Sequence, residues 1–258
     1  MPSPFSSYCL TLGLALIGPF FALATPPDQF RVWGTAGPDS PPVPAGWTCL
    51  PGEEGTPHSL IPTPKEREQG FVLFARNPFS PVLPTTIPAP VERTTELRTF
   101  ATPGEYESLA LAIHALEDLK SVQATVSDLR SATGDTIPAD HLDLRVSRAV
   151  PVIVNAASRT YTLQPFLLEK RPSFPLSKAR SVLLWVTLKV PDTAAPGEYV
   201  GTISLLGARP PAAEVKLRLS VLPFKLPPSL VESTLYYPRP AKTDDMLETG
   251  ICPLAYPP

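Results

Sequence analysis

The chain has 258 residues, a net charge of −2 and a sequence pI of about 6.0. This balance excludes the basic stripe of a nucleic-acid-binding protein and the polybasic cluster that attracts proteins to anionic membranes. Proline is the unusual residue, with 36 copies, about 14% of the chain against a usual share of about 5%. Because proline lacks the N–H that helices and central strands need, we expect short strands and loops.

The N-terminus has the features of a secretory signal. Positions 10–23 are almost wholly apolar, and Ala-Leu-Ala at 22–24 gives the small-x-small pattern that signal peptidases cut. The apolar run is shorter than the about 20 residues of a membrane-spanning helix. Positions 1–9 hold no Lys or Arg, so an uncleaved anchor or a wrong start codon is the alternative. We expect residues 1–24 to be removed, no membrane attachment afterwards, and a secreted or periplasmic protein.

A Pro/Gly-rich segment, residues 25–64, follows the signal. Its composition is typical of a linker or of an extended arm that wraps a domain. Trp33 and Trp47 are the bulky side chains in it that are candidates for exposure. Cys49 and Cys252 remain after signal removal, one near each end of the mature chain. They can pair in an oxidising compartment, but the sequence does not show that they are close, so disulfide and free thiols both stay open.

Apolar residues recur at every second position after residue 70, which is the pattern of half-buried strands. The runs that share an apolar face are Phe71, Leu73 and Ala75; Leu109, Leu111 and Ile113; Val122, Ala124 and Val126; Leu142, Leu144 and Val146; Val182, Leu184, Val186, Leu188 and Val190; and Val215, Leu217, Leu219 and Val221. Residues 107–120 are expected to be strand plus turn rather than helix. The pattern predicts an all-β fold, an immunoglobulin/fibronectin-like antiparallel β-sandwich over residues 65–228, preceded by the Pro-rich arm.

The tetrapeptide Pro-Gly-Glu-Tyr occurs twice, at 103–106 and at 196–199, and each copy leads into a predicted strand. Pro fixes φ at position i+1 and Gly accepts a positive φ at i+2, so both copies suit a type II turn. The repeat reflects either independent convergence on one turn chemistry or two related hairpins of a pseudo-symmetric sandwich. Convergence is favoured, because nothing beyond the four residues matches well.

Motifs for catalysis or metal binding are lacking. His58, His114 and His141 have no metal-ligand spacing and there is no Cys-x-x-Cys, so we expect no metal and no cofactor. His114 is expected to be a hydrogen-bonded residue of the sandwich. The adjacent carboxylates are Glu53 with Glu54, Glu117 with Asp118, and Asp244 with Asp245. We expect these pairs to face solvent rather than to form the acid and base of a glycosidase.

Tryptophan is a candidate for glycan contact, because the face of an aromatic ring stacks on the C–H face of a pyranose. Trp185 lies in the most regular predicted strand, on the face opposite Leu184 and Val186. It is either core on the second face, under the other sheet or the arm, or an exposed platform, and core is favoured. The candidate glycan contacts are Trp33, Trp47 and Trp185.

Several segments, taken in their order and spacing, carry a family resemblance. They are Glu68–Phe74, Thr99–Ser108, Leu116–Leu129, Leu183–Pro191, Ala195–Ile203 and Val221–Pro227. The most specific is Leu-Leu-Trp-Val-Thr-Leu-Lys-Val-Pro at 183–191, followed directly by the segment that contains the second Pro-Gly-Glu-Tyr. Together, residues 66–228 resemble the N-terminal β-sandwich of glycoside hydrolase family 123-like proteins.

The resemblance implies a sandwich that precedes a (β/α)₈ barrel, with the barrel hydrolysing N-acetylhexosaminides. In that family the substrate's own acetamido oxygen attacks the anomeric carbon, and an adjacent Asp-Glu pair assists. This chain has no Asp-Glu dipeptide, and only residues 229–258 follow the sandwich, where a barrel needs about 200 or more. No catalytic residue is therefore carried over, and 229–258 is expected to be the truncated start of a following domain or a tail.

The sequence therefore favours a non-catalytic N-terminal accessory domain of an exported, N-acetylhexosaminidase-like glycoside hydrolase. Its expected partners are glycans or a following catalytic barrel, and not nucleic acid. The alternative is a stand-alone carbohydrate-binding or extracellular interaction module. An active glycosidase is expected only if the chain is a fragment of a longer protein.

Overall fold

The structure is a computed structural model. It describes residues 46–50, 60–155, 157–207 and 212–227, together with the backbone of two short strands at 233–236 and 251–254. The predicted signal at 1–24 and most of the Pro-rich arm, Trp33 included, lie outside the described residues, as does most of 229–258. No helix in the described part of the chain is long and apolar enough to cross a membrane.

Strands dominate the described residues. In chain order they are β1 (Thr48–Cys49), β2 (Phe71–Ala75), β3 (Glu96–Ala101), β4 (Tyr106–Ala115), β5 (Leu119–Val126), β6 (Leu129–Ser131), β7 (Thr136–Ile137), β8 (Leu142–Asn155), β9 (Thr160–Glu169), β10 (Phe174–Leu176), β11 (Ser181–Lys189), β12 (Gly197–Leu206), β13 (Ala213–Val221), β14 (Ser233–Tyr236) and β15 (Ile251–Leu254). One short helix, α1 (Pro64–Gln69), precedes β2, and 3-10 turns lie at Pro90–Glu92 and Ala139–His141.

Two sheets face each other. The first has the order β1-β9-β8-β11-β4-β2, and the second has the order β10-β5-β12-β13-β3 with β6 and β7 attached beside β12. Most neighbours are antiparallel, but β1 with β9 and β3 with β13 are parallel. Parallel pairing is available to these strands because they are far apart in sequence and no hairpin joins them. The predicted all-β sandwich is confirmed, and its sheets are mixed rather than wholly antiparallel.

The core lies between the two sheets. Every alternating run predicted from the sequence contributes its apolar face to this core or packs directly against it. In β11, for example, Leu184, Val186 and Leu188 are fully buried. Val186 stands between Leu109 of β4 and Leu144 of β8, at the centre of the first sheet. Residues 107–120 are strand, turn and strand, as expected.

A smaller apolar cluster lies on the outer face of the first sheet. Its buried members are Phe74, Val82, Ala110, Ala112 and Leu183. Val82 belongs to the segment between β2 and β3, here called the covering loop (residues 76–89), which folds over this part of the sheet. The cover explains why β2 is buried on both faces, where a strand with one solvated face would alternate.

The two Pro-Gly-Glu-Tyr copies take different roles. The strand begins at the tyrosine in the first copy, Tyr106, but already at the glycine in the second, Gly197. Tyr106 is 44% exposed, whereas Tyr199 belongs to the sandwich core, is 1% exposed, and its hydroxyl donates to the carbonyl of Ala195 at 3.0 Å. The different registers favour convergence on one turn chemistry over two related hairpins.

The described part of the arm joins the first sheet. Thr48 and Cys49 form β1, which pairs with the start of β9. The Cys49 thiol is exposed and free. Cys252 lies in β15, where only the backbone is described, so pairing of the two cysteines stays a prediction.

Candidate functional site

An open groove lies on the outer face of the first sheet, beside the part that the covering loop protects. Its volume is about 610 Å³. It is lined by Tyr106, Asp140, His141, Asp143, Arg145, Leu168, Trp185, Thr187 and Lys189. Grooves of about 300–1,000 Å³ that combine aromatic walls with a few polar groups are typical small-ligand sites.

The pairing of three strands brings these side chains together. The opposing pairs are Trp185 with Arg145 and Thr187 with Asp143 between β11 and β8, and Lys189 with Tyr106 between β11 and β4. Since alternate residues of a strand project to the same side, all six point away from the sandwich core. The groove is thus a grid of cross-strand pairs on one face of the sheet.

Trp185 marks the boundary between the covered and the open halves of this face. Its ring packs against the smaller apolar cluster, and the residue is only partly buried because it also lines the groove. Both sequence-based interpretations therefore hold in part. The apolar surroundings come from strands of the same sheet together with Val82 of the covering loop, however, and not from the other sheet or the described part of the arm.

Asp143 is held by two cations at the groove floor. Its Oδ2 accepts from Arg145 Nε at 2.6 Å, and its Oδ1 lies 3.1 Å from Lys170 Nζ. Burial raises the pKa of Asp143, but the hydrogen bonds and charges of Arg145 and Lys170 outweigh this and leave the pKa below its ordinary value. The carboxylate therefore stays ionised at neutral pH.

Lys189 contacts Tyr106 and His141 at the end of the groove. Its Nζ lies 5.1 Å from the centre of the Tyr106 ring, a cation–π contact that covers one face of that ring. Its carbonyl oxygen is 3.0 Å from His141 Nδ1. A carbonyl only accepts, so Nδ1 carries the hydrogen, and in the neutral ring Nε2 is left as an acceptor. Trp185 is the second aromatic side chain of the groove besides Tyr106.

Trp47 lies far from this groove. It precedes β1, whose Thr48 is paired with Thr160 at the start of β9. The groove residue Leu168 is eight positions further along β9, about 27 Å at the usual rise per residue. The structure thus does not join Trp47 and Trp185 in one platform, and Trp33 lies outside the described residues. A role of any of the three in glycan contact stays a prediction.

His114 is the hydrogen-bonded sandwich residue that the sequence predicts. It is 5% exposed, and its Nδ1 lies 3.1 Å from the Thr86 carbonyl oxygen and 2.8 Å from Ser181 Oγ. Burial lowers the pKa of His114, and the bond to Thr86 offsets this only in part. The site fastens the covering loop to the sheet and does not open into the groove.

The groove carboxylate Asp143 differs in its pKa from the proton donor of a glycosidase. A glycosidase needs a carboxylic acid with a raised pKa as proton donor, whereas the pKa of Asp143 is lowered. In the part of the chain that the structure describes, no three His, Cys, Asp or Glu side chains are placed to hold a metal ion. Of the predicted carboxylate pairs, Glu117 with Asp118 is described; Asp118 is exposed at a turn and accepts from the Lys178 amide at 2.8 Å.

Sequence reasoning found Trp185 but missed its polar neighbours. Arg145, His141 and Asp143 come from β8 and the 3-10 turn before it, about 40 residues earlier in the chain. Their period-2 positions show that Asp143 and Arg145 share a face. Only the pairing of β8 with β11 places that face beside Trp185.

Comparison with known proteins finds one family model that matches most of the sandwich. Residues 85–207 match the glycoside hydrolase 123 N-terminal domain. No curated protein matches the chain. Among solved structures, a family 123 glycoside hydrolase from Clostridium perfringens is 19% identical, with a TM-score of 0.49, over 54% of this chain and 25% of that chain.

Two further solved structures match the chain with lower similarity. The PapD-like domain 7 of human CEP192 is 11% identical with a TM-score of 0.34, over 67% of this chain and 99% of that chain. The periplasmic chaperone SfaE is 12% identical with a TM-score of 0.29, over 56% of this chain and 62% of that chain.

This chain spans about a quarter of the length of the Clostridium perfringens glycosidase. The match of the family model to residues 85–207 agrees with the resemblance that the sequence carries on its own. Residues 85–207 of the sandwich accordingly form a glycoside hydrolase 123-like N-terminal domain.

Proposed function

We propose that this protein is a non-catalytic accessory domain of an exported glycoside hydrolase-like protein, of the N-acetylhexosaminidase-like kind. The observation that carries the proposal is the match of residues 85–207 to an N-terminal, and not a catalytic, domain of a glycoside hydrolase family. Hydrolysis belongs in this view to a following barrel, with which the sandwich associates.

The chemistry of the groove supports a role without catalysis. Asp143 is an ionised acceptor locked between Arg145 and Lys170, so it has no proton to donate to a leaving group. Asp140, the other groove carboxylate, is exposed. The two cations beside Asp143 oppose the raised pKa that a general acid needs near neutral pH.

Export is supported by the sequence of the N-terminus. The apolar segment at 10–23 and the Ala-Leu-Ala at 22–24 fit a cleaved signal, and the protein acts outside the cytoplasm, as a secreted or periplasmic protein. Mass spectrometry of protein recovered from outside the cell tests this. A mature chain that begins at Thr25 is expected, and an intact residue 1–24 segment would contradict the cleaved signal.

Turnover by the isolated chain tests the accessory role. The full chain is incubated with para-nitrophenyl β-N-acetylglucosaminide and β-N-acetylgalactosaminide, with a known hexosaminidase as positive control. No release of nitrophenol above the blank is expected. Release that disappears in Asp143→Asn or Asp140→Asn, isosteric changes at the groove carboxylates, would show that the chain is itself a glycosidase.

A stand-alone carbohydrate-binding module is the second candidate. The observation that favours it is the groove itself, with a partly exposed tryptophan among hydrogen-bonding side chains. Co-purification separates the candidates. An accessory domain should bind a separately produced family 123-type barrel in a pull-down, whereas a stand-alone module should bind glycan without it.

A further inference from the structure

We infer that the groove beside Trp185 binds a neutral oligosaccharide, with one sugar ring stacked on the indole and its hydroxyls hydrogen-bonded to Arg145 and His141. The inference deepens the proposed function and rests on it, since it assigns a ligand class to a domain of glycoside hydrolase type. Three properties of the groove carry it.

The first property is a tryptophan held in place. Trp185 is anchored in a central strand between β4 and β8, and its side chain packs against the smaller apolar cluster. A ring already fixed by packing loses little freedom when a ligand stacks on its exposed part. Aromatic side chains supply a large contact area with a defined flat geometry, which suits the apolar face of a pyranose.

The second property is a mixed set of donors and acceptors around the indole. Arg145 is directly opposite Trp185, and its bond to Asp143 uses Nε. Within the described residues no bond is made by its two terminal amino groups, which can donate to vicinal hydroxyls. His141 Nε2 can accept, because Nδ1 is committed to the Lys189 carbonyl. A sugar hydroxyl both donates and accepts, so it matches this set.

The third property is charge balance, which decides between neutral and anionic sugars. Asp143 is compensated by both Arg145 and Lys170. Lys189 faces Asp192, where its charge adds to the hydrogen bond and charge of Lys225 that lower the pKa of that carboxyl. Among the residues that line the groove, the cations Arg145 and Lys189 are matched by the carboxylates Asp140 and Asp143. No net positive field is left to attract a polyanion.

The experiment is calorimetric titration of the full chain with triacetylchitotriose, with cellotriose and with trigalacturonate. We expect at least one neutral trisaccharide to bind, and trigalacturonate to bind at least tenfold more weakly. Trp185→Ala should weaken neutral binding by about tenfold or more. Trp185→Phe, which keeps an aromatic ring, should lose less, and Arg145→Ala should lose about threefold to tenfold.

Trp47→Phe is the matched control, because it also alters one tryptophan but lies far from the groove. It should bind like the unaltered chain. Thermal unfolding checks that each variant is folded. If Trp185→Ala fails to fold, the affinities of Trp185→Phe and Arg145→Ala test the binding site instead. Both are expected to fold, because Trp185→Phe retains an aromatic ring and Arg145 is exposed.

Three outcomes overturn the inference. They are no binding of any neutral trisaccharide, preferential binding of trigalacturonate, and neutral binding that is the same in Trp185→Ala and Arg145→Ala as in the unaltered chain. None of these outcomes bears on the accessory role, which the turnover assay tests separately. Conversely, turnover of nitrophenyl glycosides would remove the accessory role and leave the binding measurements to be judged on their own.

Discussion

The hydroxyl of Ser181 donates a 2.6 Å hydrogen bond to the main-chain oxygen of Thr86, 95 residues earlier in the chain. The His114 ring lies against both partners. The main chain supports the same junction, since the Ser181 amide donates to the Pro84 carbonyl at 3.0 Å. These bonds hold the covering loop over the smaller apolar cluster, and Trp185 packs against that cluster.

Ser181→Ala should lower the free energy of unfolding by about 1–3 kcal/mol. The variant removes a buried donor and leaves the Thr86 carbonyl and the His114 ring with fewer partners where water does not reach easily. Urea unfolding followed by circular dichroism measures the change. Ser220→Ala is the control, because that hydroxyl bonds Glu198 at an exposed site and its loss should cost less than about 0.5 kcal/mol. Equal losses in the two variants would argue against the loop anchor.

Stability should fall in mild acid because of His114. Burial, offset in part by the Thr86 bond, puts its pKa in the folded chain below the ordinary 6.5. As the pH falls, the unfolded chain therefore binds this proton before the folded chain does. The contribution of neutral His114 to the free energy of unfolding is complete above pH 6.5, and it is lost as the pH falls from 6.5 towards the pKa of the folded chain. Urea unfolding between about pH 8 and pH 5 should show a smaller pH dependence in His114→Gln than in the unaltered chain. An unchanged slope would contradict the assignment.

Val186→Asp should abolish folding. The side chain is 0% exposed and lies at the centre of the sandwich core, so the substitution buries a carboxylate without a partner. A cost of about 4 kcal/mol or more is expected, a large part of the about 5–15 kcal/mol that stabilises a typical domain. Thr202→Asp is the matched control, since it faces outward on β12 opposite Lys216. A cooperatively unfolding, soluble Val186→Asp protein would contradict the position of β11.

The sandwich could be read from the sequence because alternation is a local signal. Each apolar run from Phe71 to Val221 identifies its own core face without knowledge of its neighbours. Helix α1 was missed, although Thr63 and Glu66 form a capping box and Pro64 stands at its first position. Those are local helix-start signals, obscured by the surrounding proline.

The groove could not be derived in the same way. Arg145 and Trp185 become neighbours only through the order of strands in the sheet, which alternation does not encode. The covering loop is a second non-local contribution, because Val82 and Thr86 bury one half of a sheet face that the pattern alone leaves open. Sequence therefore identified an aromatic candidate, and topology supplied its polar surroundings.

The parallel pairing of β3 with β13 has a consequence for how the chain acquires its structure. Glu96 to Ala101 pairs with Lys216 to Val221, so one of the earliest strands of the sandwich meets the last strand of the second sheet. Contacts between such distant segments form slowly, because a long loop must close first. Until then the edges of β3 and β12 remain available to strands of other chains. Since β13 lies beyond residues 85–207, a fragment limited to the family match would lack the strand that joins those two edges, and aggregation rather than folding is its expected fate.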